Sequence, residues 1–407
     1  MIQQIKGGVT AAKGFAAAAT AAGIKYQDRD DMALIYSKVP CHIAGTFTRN
    51  IVKAAPVLWD QEVVKRGQAQ AVVINAGIAN AGTGKEGFKA CEETAAMLGA
   101  ALGLSPQHML VASTGVIGMQ LPLDRLGAGI NAMVPALAET LESGHRAAQA
   151  IMTTDTHEKE IAIQFTLDGK TITMGGMAKG SGMIHPNMGT MLSFITTDVC
   201  ISQSLLQEAL LADVEDTYNM ISVDGDTSTN DTCLVLANGL AGNAEITEKG
   251  EAYTIFCQAL RTVNEYLAKQ LAGDGEGATK LLEVTVHGAL TKAQAKTLSK
   301  SVITSNLTKA AMYGRDANWG RILCAMGYSG ADFDQELVSL SFESAAGHIL
   351  IAENGVAVDF NEEAATAILS EAVVKVDVDL HLGSESATAW GCDLTHRYVD
   401  INADYRS

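Results

Sequence analysis

Thr190 joins a glycine- and methionine-rich segment, Gly176-Met-Ala-Lys-Gly-Ser-Gly-Met-Ile-His-Pro-Asn-Met-Gly189, to an apolar run, Met191 to Thr196, that reads as a strand. If the Gly189–Thr190 peptide bond is cut, Thr190 gains a free α-amine on the residue that carries its hydroxyl. That amine can then serve the hydroxyl as general base, the arrangement of an N-terminal nucleophile. An unperturbed α-amine has a pKa of about 8, so a useful fraction is unprotonated at neutral pH. The competing reading is a glycine-rich loop entering a core strand.

Such a nucleophile needs an oxyanion hole and a substrate grip. Ser113-Thr114-Gly115-Val116-Ile117-Gly118 reads as a tight turn at a strand end. Thr114 offers a hydroxyl there and Gly115 an unhindered backbone N–H, although an ordinary strand-to-helix turn has the same pattern. Lys179 lies in the same glycine-rich segment as Thr190 and can hold a substrate α-carboxylate as a point charge; a solvated surface lysine is the alternative. Glu276, in Gly275-Glu276-Gly277, can bind a substrate amine or be one loop carboxylate among many. Thr153 opens Thr153-Thr154-Asp155-Thr156, which follows a helical stretch and could cap it or line a pocket. His185 precedes Thr190 closely, but the α-amine makes an imidazole base unnecessary, so a structural role is expected for it.

Residues 179–192 resemble the processing site of the ornithine acetyltransferase family (glutamate N-acetyltransferase, the ArgJ family), whose members read Lys-Gly-Ser-Gly-Met-Ile-x-Pro-Asn-Met-Ala-Thr-Met-Leu. One position departs from that pattern: Gly189 stands where the family has alanine, and glycine is smaller and more flexible. The resemblance spans essentially the whole chain. It includes Gly7-Gly8-Val-Thr-Ala-Ala-Lys-Gly-Phe15, Asn219-Met-Ile-Ser-Val-Asp-Gly-Asp-Thr-Ser-Thr-Asn-Asp231, Tyr313-Gly-Arg-Asp-Ala-Asn-Trp-Gly-Arg321 and the ending Asn402-Ala-Asp-Tyr-Arg-Ser407.

The resemblance implies a layered α/β sandwich of the ArgJ/DmpA-like type with a smaller C-terminal α/β domain. It implies self-cleavage between Gly189 and Thr190 into an α chain (1–189) and a β chain (190–407), two of each in the assembly. It implies an oxyanion pair at Thr114 and Gly115, and substrate contacts from Thr153, Lys179, Thr190, Glu276, Asn402 and Ser407. The implied reaction moves acetyl from N2-acetyl-L-ornithine to L-glutamate through an acetyl-Thr190 intermediate, in arginine biosynthesis, with ping-pong kinetics and no metal or organic cofactor. Whether acetyl-CoA is a second donor is left open. Two rivals stay open as well: a self-processing amidase or aminopeptidase of the same fold, and an uncut binding protein.

Composition narrows the field around these residues. The 407 residues are 47% hydrophobic, 18% charged and only 5% aromatic. That balance suits close-packed α/β layers, and the length suits two or three domains. A formal net charge of −17 repels nucleic acid and anionic membranes. The seven cysteines form no CxxC pair, so neither a zinc site nor a disulfide framework is indicated. No apolar run is long enough to span a membrane. The start, Met1 to Gly23, with its Ala-rich piece from Phe15, has the outline of a weak signal peptide, but its hydrophobic stretch is only Ala-strong and Gly7-Gly8 breaks it early, so a cytoplasmic protein is expected.

The elements that must position the site alternate strand and helix. Strands are expected at 70–75, 108–113, 161–165, 171–174, 191–196 and 233–237, with helices over 88–102, 123–143 and 204–216. Asp168-Gly169 reads as a hairpin turn. A loop near Gly273–Gly277 suggests a division into a large domain, 1–278, and a smaller one, 279–407. The second region reads as strands at 282–286, 338–342, 349–352 and 374–382, a long helix over 291–313 and a short one over 362–371. Gly82-Thr-Gly-Lys-Glu-Gly87 is a literal GxGxxG, but no ribose-binding acid follows at the required distance. Asp224-Gly-Asp-Thr-Ser228 resembles a calcium loop without its glycine and closing glutamate.

Overall fold

A computed structural model of the protein describes residues 2–185 and 191–403. It has the expected α/β class. The chain divides into two compact units: residues 1–180, 186–219 and 227–267 make the first, and 181–185, 220–226 and 268–407 the second. The Gly273–Gly277 loop therefore lies inside the second unit.

The first unit contains β1 (Gln3–Ile5), β2 (Phe15–Thr20), β3 (Met32–Phe47), α1 (Ala55–Lys65), β4 (Gln68–Ile78), α2 (Gly84–Leu102), β5 (Met109–Val116), α3 (Leu123–Met133), α4 (Leu141–Ala150), β6 (Lys159–Leu167), β7 (Lys170–Lys179), β8 (Leu192–Thr197), α5 (Gln203–Val214), β9 (Thr232–Ala237) and most of α6 (Glu251–Gly273). Among the described residues, β1 to β9 form one mixed sheet in the order β1-β6-β7-β8-β9-β3-β4-β5, with β2 also paired to β3. Both faces of this sheet are buried. Ala17, Ile35, Val72, Ile74 and Leu110 face a core shared with Ala147 and Ala148 of α4. Their strand neighbours Ala18, Leu34, Ala71, Val73 and Val111 face Leu98 of α2 and Ile130 of α3. The period of two, with helices on each face, makes near-continuous apolar runs of strands such as β4.

The Ala-rich stretch after Phe15 is the buried strand β2, which pairs Ala17 with Ile35 of β3. Alanine is a weak strand former, but here its small side chains let the alanines of α4 approach closely. The helix expected over 123–143 stops at Met133, because Pro135 cannot continue it, and resumes as α4 behind the Thr140 N-cap. The long helix expected over 291–313 is two helices, α7 (Lys292–Thr304) and α8 (Asn306–Gly314). Ser305 leaves helical dihedrals between them and caps the second through the Thr308 N–H.

The second unit continues with α9 (Trp319–Gly327), β11 (Ser339–Ser344), β12 (Gly347–Glu353), β13 (Val356–Ala357), α10 (Glu362–Leu369), β14 (Val373–Asp379), β15 (Glu385–Cys392) and α11 (His396–Ala403), after β10 (Leu281–Ala289), α7 and α8. Its described strands form a sheet in the order β13-β12-β11-β14-β10-β15. Val374, Val376 and Val378 of β14 are buried while their neighbours are more exposed, as the strict alternation predicts, and α7 packs on β10 and β15. Among the described residues no helix is long and apolar enough to cross a membrane, and no group of three His, Cys, Asp or Glu residues could hold a metal ion.

Candidate active site

In the first unit the site is built on the ends of β5 and β7. Strands β4 and β5 run parallel and lose register where Gly77 meets Gly115. A Cβ on Gly115, whose φ is +129°, would lie 2.2 Å from the Gly77 carbonyl carbon. Only glycine allows that approach. The two strand ends are pinned by Asn230, whose buried amide donates to the Ala79 carbonyl at 2.6 Å and the Ser113 carbonyl at 2.8 Å. Below them Ser113 Oγ donates to Asn75 Oδ1 at 2.7 Å. This network holds Thr114 half-buried at the strand end.

Lys179 ends β7. Its Nζ donates to Thr153 Oγ1 at 2.8 Å and to Thr114 Oγ1 at 3.2 Å. The fold thus gathers Thr114, Gly115, Thr153 and Lys179, four of the residues expected from the sequence. Asp155 is their hub. Its carboxylate accepts from Lys159 Nζ at 2.8 Å, the Gly180 N–H at 2.6 Å and the Thr153 N–H at 3.0 Å, and Lys179 Nζ lies 3.9 Å away. Burial alone would raise the Asp155 pKa. The charges of Lys179 and Lys159, with the Lys159 and Gly180 hydrogen bonds, outweigh it and hold the carboxyl well below the usual range. The sequence reading missed Asp155, Lys159 and Asn230 as site residues. The signal was the β6–β7 hairpin, whose register pairs Lys159 with Ala178 and so carries Asp155 toward Gly180.

In the second unit Glu276 is buried, and its carboxylate accepts from Asn402 Nδ2 of α11 at 2.6 Å. Its backbone N–H donates to the Ser181 carbonyl at 3.0 Å. A Cβ on Gly182 would lie 2.4 Å from the Glu276 carboxyl carbon, so the glycine leaves room for that carboxylate. The fold therefore joins two further expected residues, Glu276 and Asn402. The Asp224 carboxylate accepts from the Met183 N–H at 2.6 Å and the Ile184 N–H at 2.9 Å. His185 Nδ1 is 3.1 Å from Ser222 Oγ. Burial first, then the charge of Lys300, push the His185 pKa down to about 4 against the pull of Asp226, which suits the structural role expected for it. Gly189, Thr190 and Ser407 lie outside the described residues.

The ArgJ family model matches residues 16–407. The chain belongs to the ArgJ family. Among ArgJ relatives, the arginine biosynthesis bifunctional protein ArgJ of Symbiobacterium thermophilum is 51% identical over the whole of both chains. That of Thermotoga neapolitana is 49% identical and covers 97% of this chain and 99% of its own. A solved chain of the arginine biosynthesis bifunctional protein argJ from Bacillus halodurans is 48% identical with a TM-score of 0.51. It matches over 99% of its own length and 53% of this chain.

Proposed function

We propose that this chain is a self-processing N-terminal-threonine acetyltransferase that moves acetyl from N2-acetyl-L-ornithine to L-glutamate. The observation that carries the reading is the buried Lys179 ammonium, donating to the hydroxyls of both Thr114 and Thr153 at the ends of β5 and β7. Family membership supplies the reaction class.

In the processing step the Thr190 hydroxyl attacks the Gly189 carbonyl carbon. The peptide C–N bond breaks and frees the α-amine as an ester forms on Thr190, and water then hydrolyses that ester to the Gly189 carboxylate and the Thr190 hydroxyl. The solved relative's chain supports this reading: it matches this chain over 53% of its length, about the fraction that residues 190–407 represent. In the transfer step the α-amine takes the proton of the Thr190 hydroxyl as oxygen attacks the acetyl carbon. Thr114 and Gly115 stabilise the tetrahedral oxyanion. Ornithine leaves with the proton returned to its amine, and the amine of glutamate then attacks acetyl-Thr190 by the reverse sequence.

Both substrates carry an α-amino-acid head. Lys179 holds its carboxylate as a point charge, while Thr153, Glu276, Asn402 and Ser407 shape the remainder. The working form is an α2β2 assembly in the cytoplasm. Intact mass after mixing the enzyme with N2-acetylornithine alone tests the chemistry. The expected product is a β chain heavier by one acetyl group, which glutamate then discharges as N-acetylglutamate. Free acetate formed at the same rate without glutamate would make the enzyme an amidase instead. The relatives are named bifunctional, so acetyl-CoA is the second donor to offer in that assay.

A further inference from the structure

A half-buried carboxylate, Asp224, meets the described residues that precede the processing point, and acyl transfer gives it no task. Asp224 Oδ2 accepts the Met183 N–H at 2.6 Å, and Oδ1 accepts the Ile184 N–H at 2.9 Å and the Asp226 N–H at 3.2 Å. Tyr398 Oη donates to Oδ2 at 3.4 Å. Two successive backbone N–H groups converging on one anion make a nest, which requires a left-handed residue. Met183 provides it, with φ of +55°, a conformation that non-glycine residues adopt only when something holds them there. Met183 is 42% exposed, and the carboxylate accepts its N–H in that conformation.

The clasp is reciprocal. The Val223 N–H donates to the Ile184 carbonyl at 2.6 Å, and Ser222 Oγ meets the His185 ring at 3.1 Å. Ser181 Oγ donates to the Asp274 carbonyl at 2.6 Å. Residues 181–185 are thus fixed at both ends within the second unit, and the chain runs from His185 to the Gly189–Thr190 bond. We propose that Asp224 is a positioning residue for self-cleavage: by clamping the Met183 and Ile184 N–H groups it anchors residues 181–185, which precede the scissile bond in the chain. The inference rests on the self-processing reading. It assigns Asp224 no contact with the reacting atoms.

Asp224→Asn keeps the side chain's shape but offers one oxygen where two are used, so one N–H of the nest faces an amide NH2. Small misplacements of a reacting group cost on the order of 100-fold in rate. Cleavage should slow at least about tenfold. Asp393→Asn is the control. Asp393 is buried and accepts the Thr279 and Lys280 N–H groups on Oδ1, at 2.8 Å and 3.1 Å, and the Thr279 hydroxyl on Oδ2, a carboxylate clamp in the same unit on a segment that does not precede the bond.

The experiment follows the full chain by pulse-labelled cell-free translation and chase, with uncut and cut species resolved on a denaturing gel and the thermal midpoint of each variant measured. The expected result is slow cleavage in Asp224→Asn and wild-type cleavage in Asp393→Asn at a comparable loss of midpoint. Should Asp224→Asn not fold, Asp224→Glu, which keeps the charge but displaces the acceptor by a methylene, is expected to slow cleavage likewise. Wild-type rates in the Asp224 variant that folds, or equal slowing in Asp393→Asn, would overturn the proposal while leaving self-processing intact. An uncut wild-type chain would remove the self-processing reading and this proposal with it.

Discussion

Lys179 links both threonines of the first-unit site to Asp155. It donates to two threonine hydroxyls from a nearly buried position beside Asp155. Lys179→Met should lower kcat/KM for N2-acetylornithine by roughly 100- to 1000-fold, the kinetic equivalent of about 3–4 kcal/mol for a lost, largely desolvated charge contact. Lys179→Arg should not restore it, because a planar fork cannot replace a compact ammonium at two convergent oxygens. Steady-state kinetics of the three proteins check this, and an unimpaired methionine variant would remove Lys179 from the site. Asp60 of α1 makes a contrasting case. It is 1% exposed and accepts the Val111 N–H at 2.9 Å, while its Oδ2 has no partner among the described residues. Burial pushes its pKa well up, against the lowering by Val111. A raised carboxyl contributes stability that is full below the unfolded pKa, near 4, and lost as pH rises toward the folded value. Asp60→Asn does not titrate, so its stability relative to wild type should grow between pH 4.5 and 8 by more than about 1.4 kcal/mol, the equivalent of one pKa unit. Urea unfolding at the two pH values measures it; a pH-independent difference would mean that Asp60 is ionised in the fold.

At the scale of elements, the junction of β4 and β5 is where glycine is indispensable. Gly115→Ala would press a methyl into the Gly77 backbone at 2.2 Å, whereas Gly118→Ala, at φ +86°, meets nothing within 4 Å. Both lose the freedom of a left-handed glycine, but only the first adds a backbone clash. Thermal or urea unfolding should show Gly115→Ala less stable than Gly118→Ala by at least about 2 kcal/mol; equal losses would mean the strand ends can separate freely. Much of this level was legible in the sequence. The period-two strands β4, β5 and β14, the Asp168-Gly169 hairpin with φ of +50° and +71°, and the turn after Ser113 follow from local pattern and turn chemistry. What was hidden depends on distant partners. Ala-rich β2 becomes a strand only because α4 packs on it. Asp155 becomes a hub only because the β6–β7 register returns the chain to it, and Glu276 finds Asn402 126 positions away. Only the Asp155 pairing had a local signal, the hairpin at Asp168-Gly169; the others are set by tertiary packing.

At the scale of the whole molecule, the proposed processing point and the sheet order have a joint consequence. Strands β8 and β9 follow Thr190 in the chain, yet they sit between β7 and β3, which precede it. Residues 181–185 likewise belong to a unit otherwise made of residues that follow Thr190. Cleavage would leave two chains sharing one hydrogen-bonded sheet, inseparable without unfolding. The net charge of −17 disfavours nucleic acid and anionic membranes as partners. The central claim, a self-generated N-terminal threonine, is tested most directly by native size-exclusion chromatography, followed by intact mass and N-terminal sequencing of the denatured peak, for wild type beside Thr190→Ala. The account predicts that the wild-type peak contains two chains, the second beginning at Thr190, and that the variant remains a single chain. One uncut chain in both proteins would contradict it, because the α-amine base on which the chemistry depends would not exist.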